Sequence, residues 1–192
     1  MSVRFPRKSG FIAKNVLLAL AVGGFALPAA GAVSLSLKAA YLMPSEQAFK
    51  DIYGGGLMAG GEIAFGLSGP LKVWIEAMYH KGTGKLTYTG EDTTLTLFPI
   101  GGAGLRYEFA AGPAVVYAGA GARYYSYKEE NVIGTASKSG AGFVGLAGVS
   151  LRLAKVFMLD LRAAYSSCKL TPADFTVDVG GLELGGGLVF VF

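Results

Sequence analysis

The sequence is almost without cysteine and histidine: its 192 residues include one of each, Cys168 and His80. A single cysteine cannot close an intramolecular disulfide, so a disulfide framework is excluded. A metal site of the usual kind needs several such ligands close together, and no second histidine or cysteine is available. The sequence therefore predicts a protein without a metal centre or another cofactor.

Charge is also scarce, and long apolar runs are missing from most of the chain. Charged residues make up 16% of the sequence, hydrophobic residues 52%, and there are 30 glycines, whereas an average soluble protein has about 25% charged residues. Beyond the first 32 residues no uncharged apolar run is long enough for a membrane-spanning helix. The length suits one domain.

Residues 1–32 have the pattern of a secretory signal peptide. An apolar core from Val16 to Leu27 precedes the small triplet Ala30-Gly31-Ala32, which offers a cleavage site before Val33. The basic leader contains Arg4, Arg7, Lys8 and Lys14. An uncleaved anchor helix is the alternative, but the core is short for a membrane span. We predict a cleaved signal peptide and a mature domain of residues 33–192.

The leader also accounts for the positive charge of the whole chain. It contains four of the 17 basic residues and no acidic residue, which leaves 13 basic residues against 13 acidic ones after position 32. A mature chain with no net charge and no basic patch is not predicted to bind nucleic acid.

From residue 33 onward, polarity alternates with a period of two, which is typical of strands. Eight segments show it: 33–43, 56–67, 71–80, 97–109, 114–127, 140–153, 156–167 and 180–192. The Thr-rich flanks of residues 81–96 predict that the third and fourth strands continue as a polar hairpin. Residues 128–139 are predicted to be a polar loop, and Pro99 is predicted to mark a bulge or a strand end because it lacks a ladder N–H.

Short and long connections alternate along these eight segments. The second and third, fourth and fifth, and sixth and seventh segments are joined by two to four residues, and the other connections are about ten or longer. This is the pattern of an outer-membrane barrel with short periplasmic turns and longer extracellular loops. The predicted fold is an all-β, eight-stranded, antiparallel up-and-down transmembrane barrel.

Charges and aromatic residues occupy opposite faces of these strands. Six basic and five acidic residues are predicted to point into the lumen, where burial favours paired charges: Lys38, Glu62, Lys72, Glu76, Arg106, Glu108, Arg123, Arg152, Asp160, Arg162 and Glu183. Two lipid-facing aromatic girdles are predicted. They contain Tyr41, Tyr79, Tyr124 and Tyr165 at one end, and Phe65, Tyr107, Phe109, Phe157, Phe190 and Phe192 at the other.

Three motifs carry a resemblance to a known family. They are G-x-G-L-R-Y-x-F at residues 102–109, Y-A-G-A-G at 117–121 and the terminal G-G-L-V-F-V-F at 186–192. With the signal peptide, they make the mature chain resemble the small eight-stranded outer-membrane barrels of the OmpA/OmpX type. The resemblance implies the outer membrane of a Gram-negative-type bacterium, contact with its lipids, and a terminal Phe192 that the outer-membrane assembly machinery reads.

The predicted function is a non-enzymatic, monomeric barrel with a lumen filled by side chains. Eight strands leave room for little more than side chains, and the surface loops would serve adhesion or envelope interactions. A narrow, porin-like pore for small solutes is the first alternative. A lipid-modifying enzyme is the second, and its candidate residues are His80 with Ser126, Ser166 or Ser167 and a loop carboxylate. A soluble ligand-binding barrel is a further fold alternative.

The remaining site-like features are interpreted as structural. His80 is predicted at the outer rim, Cys168 as a passive residue at the loop end of the seventh strand, and Trp74 as filler of the barrel. Residues 140–145 match G-x-G-x-x-G, but a dinucleotide site needs a strand before the motif and a helix after it, and this context is the reverse.

Overall fold

The computed structural model describes residues 33–85, 90–132, 134–171 and 176–192, and the predicted signal peptide lies outside them. Eight strands close into one antiparallel barrel in the order β1-β10-β7-β6-β5-β4-β3-β2. Their bounds are β1 Val33–Pro44, β2 Gly56–Ser68, β3 Leu71–Lys85, β4 Asp92–Ala111, β5 Ala114–Asn131, β6 Gly134–Ala154, β7 Phe157–Ser167 and β10 Gly181–Val191. The predicted fold class is confirmed.

The barrel is closed by the two ends of the domain. Strand β1 pairs with β10 from Ser34↔Val191 to Pro44↔Gly181. Beyond that ladder, Val33 N donates to Phe192 O at 3.3 Å and Phe192 N donates to Val33 O at 2.9 Å. Closure leaves no open sheet edge along the β1–β10 seam, which is the condition for a sheet to lie in hydrocarbon.

Three two-residue turns lie at one end of the barrel, which we call the short-turn end. They connect β2 to β3, β4 to β5 and β6 to β7. Gly69 and Gly112 have φ of 54° and 62° in the first two turns, in the left-handed region that glycine enters without steric cost. The opposite end, which carries the longer connections, is the long-loop end.

At the long-loop end, β3 to β6 extend well beyond the other strands. The polar hairpin predicted for β3 and β4 is confirmed, since their ladder reaches Lys85↔Asp92. The loop predicted for residues 128–139 is wrong, because the β5–β6 ladder continues to Asn131↔Gly134. Beyond the hydrocarbon both faces of a strand can be polar, and threonine is a good strand former. A polar stretch there can therefore be a strand or a loop, and polarity alone does not distinguish the two.

Two further elements lie in the long connections. Helix α1 spans Gln47–Tyr53, and strands β8 (Lys169–Leu170) and β9 (Val177–Asp178) form a separate two-stranded sheet. Phe49 and Tyr53, four residues apart on one face of α1, have ring centroids 5.2 Å apart, and Phe49 is buried. Neither element has a periodicity in the sequence that predicts it.

Helix α1 is seven residues long. Among the described residues no helix has the length and apolar character that a membrane span requires.

The bulge predicted at Pro99 is confirmed and reverses the faces of β4. Register shifts occur between Leu97 and Ile100 in the β4–β5 ladder, and between Met78 and His80 in the β3–β4 ladder. Leu95 and Leu97 consequently point inward and are fully buried, while Phe98 is 57% exposed on the outer wall. Strict alternation from Arg106 would have placed Phe98 inside.

The outer wall is a belt of exposed apolar side chains. Leu37, Leu105, Leu161 and Leu184 are among those that face outward. The structure places Tyr41, Tyr79, Tyr124 and Tyr165 on this wall near the long-loop end, and Phe65, Tyr107, Phe109, Phe157, Phe190 and Phe192 near the short-turn end. Phe98 and Phe143 also face outward. So large an exposed apolar surface indicates a lipid environment.

Candidate functional site

The lumen is filled by three groups of buried side chains. The charge network comprises Lys38, Glu62, Glu76, Arg106, Arg123, Arg162 and Glu183. The Trp74 cluster, at the same depth, comprises Ala64, Trp74, Tyr117, Val144, Leu146 and Ala164. The upper apolar cluster, toward the long-loop end, comprises Leu42, Phe49, Met58, Met78, Leu95, Leu97, Ile100, Tyr125, Tyr127, Cys168, Leu170, Val177 and Val179.

Glu62 is the first centre of the charge network. Its Oε2 accepts from Lys38 Nζ at 2.5 Å and from Arg162 Nη1 at 3.5 Å, and its Oε1 accepts a short hydrogen bond from Arg106. Each of these residues is placed inward by the alternation of its strand. Three cations thus converge on one buried carboxylate, which offsets the cost of its desolvation.

Arg123 is the second centre, and it bridges two carboxylates from opposite sides of the lumen. It donates short hydrogen bonds to Glu76 on β3 and Glu183 on β10. Arg162 Nη1 also donates to Glu76 Oε2 at 2.7 Å, and Arg162 Nη2 lies 3.7 Å from Glu183 Oε2. Because Arg162 approaches Glu62 as well, the two centres form one connected network.

Three other residues predicted for the network lie beside it. Asp160 Oδ2 accepts a hydrogen bond from Tyr117 OH at 3.0 Å, and Asp160 Oδ1 accepts one from Ser150 Oγ at 2.6 Å. The partners of this carboxylate are therefore two hydroxyl groups, whereas an arginine was predicted. Lys72 Nζ lies 2.9 Å from Glu108 Oε2 in a half-buried pair nearer the short-turn end. Glu108 also accepts from Arg106 Nε at 2.9 Å, which links this pair to the network.

Arg152 is the exception, and its predicted place in the network is wrong. It has inward parity on β6, yet its side chain is exposed and no ion pair joins it to another described residue. The β6–β7 register shifts immediately after it, between Arg152 and Ala154, where β6 ends. At this rim the lumen meets water, so a guanidinium there needs no buried partner.

The buried charges are balanced. Four cations and four carboxylates lie deep in the lumen: Lys38, Arg106, Arg123 and Arg162 against Glu62, Glu76, Asp160 and Glu183. An unpaired buried ion costs several kcal/mol, roughly, whereas a paired and hydrogen-bonded one does not carry that full cost. A lumen of this composition is a packed polar interior rather than the lining of a wide aqueous channel.

Helix α1 covers the upper apolar cluster from the long-loop end. Phe49 is part of the cluster and Tyr53 packs against it. Tyr53 OH lies 3.4 Å from Thr93 Oγ1, which donates to Glu129 Oε1 at 2.9 Å, and Tyr127 OH donates a short hydrogen bond to the other oxygen of Glu129. The contact between Tyr53 OH and Thr93 Oγ1 therefore joins α1 to the inner face of the β4–β5 extension.

We expect Tyr53→Phe to remove one ionisation near pH 12 from the alkaline titration of the folded protein. Burial raises the pKa of Tyr53 to about 12, against about 10 for a free tyrosine. The raised pKa means that this contribution to folding is complete below about pH 10 and is lost as pH rises toward 12. Phenolate absorbance of wild type minus Tyr53→Phe measures it, and a difference centred near pH 10 would contradict the assignment.

The structure places the singled-out residues inside the barrel. Trp74 is fully buried, and the absent side chains of Gly102 and Gly104 leave room for its ring, so its role as filler is confirmed. His80 is also buried, with Nδ1 3.0 Å from Leu57 O, so it lies inside the barrel and not at the outer rim, where it was predicted. The irregularity at Pro99 lies opposite it, since the β3–β4 register shifts between Met78 and His80. Cys168 lies in the upper apolar cluster.

The candidate catalytic set is not assembled. Ser166 Oγ accepts from Tyr125 OH at 2.7 Å and donates to Glu183 at 3.2 Å, and Ser167 Oγ donates to Asp178 at 2.5 Å. No hydrogen bond joins His80 to a serine in the described part of the chain. Nor do the described residues include a group of three or more His, Cys, Asp or Glu side chains arranged to hold a metal.

The glycine motif at residues 140–145 lies wholly within β6, which runs from Gly134 to Ala154. No helix follows it, so the arrangement that places a pyrophosphate at a helix N-terminus is missing. The motif serves close packing: a Cβ on Gly142 would lie 2.0 Å from Ser167 O.

No protein-family model matches the sequence, and no curated protein matches it. Solved structures do match. Neisserial surface protein A is 19% identical, with a TM-score of 0.64 over 85% of this chain and 100% of that one. OprG of Pseudomonas aeruginosa is 15% identical, with a TM-score of 0.63 over 85% of this chain and 96% of that one. Ail of Yersinia pestis, solved with the heparin analogue sucrose octasulfate, is 19% identical. Its TM-score is 0.54 over 83% of this chain and 99% of that one. The chain thus has the fold of the small eight-stranded outer-membrane barrel proteins.

Proposed function

We propose that this protein is a non-enzymatic integral barrel of the outer membrane, with a closed lumen and a structural or interaction role at the cell envelope. The proposal includes export through a cleaved signal peptide, insertion through the terminal strand β10 and a monomeric state. It is supported by an apolar belt bounded by two aromatic girdles, which is the surface that such barrels present to lipid.

The continuous filling of the lumen is the observation that carries this proposal. The charge network and the Trp74 cluster occupy the barrel at mid-depth, and the upper apolar cluster with α1 closes it toward the long-loop end. A cavity beside Lys38, Asp160, Arg162 and Glu183 has a volume of about 10 Å³. That space holds about one water molecule, and a row of such molecules would be needed for conduction.

The long-loop end supplies the surface for an interaction role. The outer face of the β3–β6 extension alternates lysines and acids with threonine and serine, and Lys128 pairs there with Glu130 at 2.7 Å. Ail was solved with a sulfated ligand, but the described long-loop end of this chain is mixed in charge. Its lysines are Lys50, Lys81, Lys85, Lys128, Lys138 and Lys169. Its acidic residues are Glu46, Asp51, Glu91, Asp92, Glu129, Glu130 and Asp178. This balance favours a partner of mixed charge over a polyanion.

A conductance measurement tests the closed lumen. We expect purified protein in planar bilayers to give no discrete conductance steps, because buried side chains of the charge network and the upper apolar cluster fill the described part of the lumen. Protease protection of the same preparation establishes that the barrels have inserted. Reproducible steps from inserted wild-type protein would replace the scaffold proposal with the pore alternative.

The Lys128→Met variant is the matched control for that experiment. Lys128 lies on the outer face of the extension and half of its side chain is exposed, so its removal leaves the lumen unchanged. Steps that vanish in Lys128→Met would depend on the surface of the extension, whereas steps of equal size in both proteins would not.

A further inference from the structure

One carboxylate oxygen in the charge network has no hydrogen-bond partner among the described residues. Glu183 Oε1 accepts from Arg123, through a short contact, and from Ser166 Oγ at 3.2 Å. Glu183 Oε2 is buried and unpartnered. Arg162 Nη2 approaches it only to 3.7 Å, which is beyond hydrogen-bond length. A buried charged acceptor without a donor is costly, so this oxygen requires a hydrogen-bond donor that the described side chains do not supply.

The small cavity described above is lined by the residue that carries this oxygen. Glu183 lines it, together with Lys38, Ala40, Asp160 and Arg162, and its volume is about 10 Å³. The Lys38 ammonium can donate three hydrogen bonds and gives one to Glu62 at 2.5 Å. The cavity thus has an acceptor that lacks a donor and an ammonium with donor capacity to spare.

We propose that this cavity is a binding site for a single, long-lived water molecule. The water donates to Glu183 Oε2 and accepts from the Lys38 ammonium or the Arg162 guanidinium, so it bridges a gap too long for a direct hydrogen bond. Two cations and two carboxylates line the cavity, and this balance favours neither a bound cation nor a bound anion. Water fits because it both donates and accepts, and because the volume holds about one molecule.

The site goes beyond the closure of the lumen, because it assigns a role to one molecule of solvent inside it. With the water in place, both oxygens of Glu183 have donors, and satisfied buried polar groups are the ones that stabilise a fold. Without it, Arg162 and Glu183 would be joined only by an ion pair at 3.7 Å, without a hydrogen bond.

Water contacts at the Ala40 methyl group test the proposal directly. In folded protein in lipid nanodiscs, we expect NMR cross-relaxation between this methyl and a water whose residence is long compared with molecular tumbling. The Ala164 methyl is the control, since it is buried in the Trp74 cluster and does not line the cavity. Absence of a water contact at Ala40 would overturn the proposal. A rapidly exchanging contact would overturn it too, and would also indicate an open lumen, which the conductance measurement detects separately.

A pair of substitutions at Ala40 provides a second measurement. The two methyl groups of Ala40→Val would take the place of the water and leave Glu183 Oε2 without a donor, whereas the hydroxyl of Ala40→Ser can replace the water as donor. We expect the valine variant to have the lower urea midpoint, although valine is the better strand former. Equal midpoints, or a lower one for serine, would contradict the water site. If neither variant folds, the methyl–water contact in the wild type decides.

Discussion

Replacing Leu161 by arginine is expected to destabilise the folded barrel by about 2–4 kcal/mol in a lipid bilayer. Leu161 is 53% exposed on the outer wall, and it lies on β7 midway between Phe157 and Tyr165 of the two girdles. A guanidinium at that depth would face hydrocarbon, where its charge is poorly solvated. The urea midpoint of protein refolded in vesicles measures the loss.

Thr94→Arg is the control for Leu161→Arg. Thr94 lies on the β4 extension opposite Thr83 and Glu130, outside the apolar belt, so the same new side chain should change stability by no more than about 0.5 kcal/mol. Leu105→Arg should fall between the two, because Leu105 is one outward position from the girdle residue Tyr107 and the penalty declines toward the interface. An unchanged midpoint for Leu161→Arg would show that this face does not contact lipid.

The architecture and the facing of most side chains could be predicted from alternation alone. Successive side chains of a strand point to opposite faces whatever surrounds them. Parity therefore placed Glu62 and Arg162 in the lumen and Leu161 outside before any contact was known. It could not predict which charges meet, because Arg123 on β5 and Glu183 on β10 are joined across the barrel rather than along a ladder.

Parity failed where the strands stop being regular. The Pro99 bulge reverses the faces of β4, so Leu97 lies in the upper apolar cluster and Phe98 outside, and no pattern in residues 92–98 marks that reversal. Helix α1 has seven residues, too few for a 3.6-residue periodicity to stand out. Arg152 has the parity of a lumen residue, but it lies where β6 ends, and parity carries no information on depth.

Replacing Arg123 by methionine is expected to cost about 3–5 kcal/mol, the range for breaking a buried ion pair by removing one partner. Arg123 is 1% exposed and joins Glu76 to Glu183. Methionine fills similar space but leaves both carboxylates with fewer donors: Glu76 keeps Arg162 at 2.7 Å and Glu183 keeps Ser166 at 3.2 Å. The urea midpoint in vesicles measures this loss, with Lys128→Met as the exposed counterpart, expected to cost about 1 kcal/mol at most.

The combination of Arg123→Met with Glu183→Gln separates lost packing from uncompensated charge. If the cost arises from the charge left on Glu183, neutralising that residue should recover part of the stability, so the double variant is more stable than the sum of the two single losses predicts. If the losses simply add, the arginine acts through its volume. A loss for Arg123→Met as small as that for Lys128→Met would mean that water reaches the network and screens its charges. The lumen would then be hydrated at the level of Arg123, where the network bridges Glu76 on β3 and Glu183 on β10.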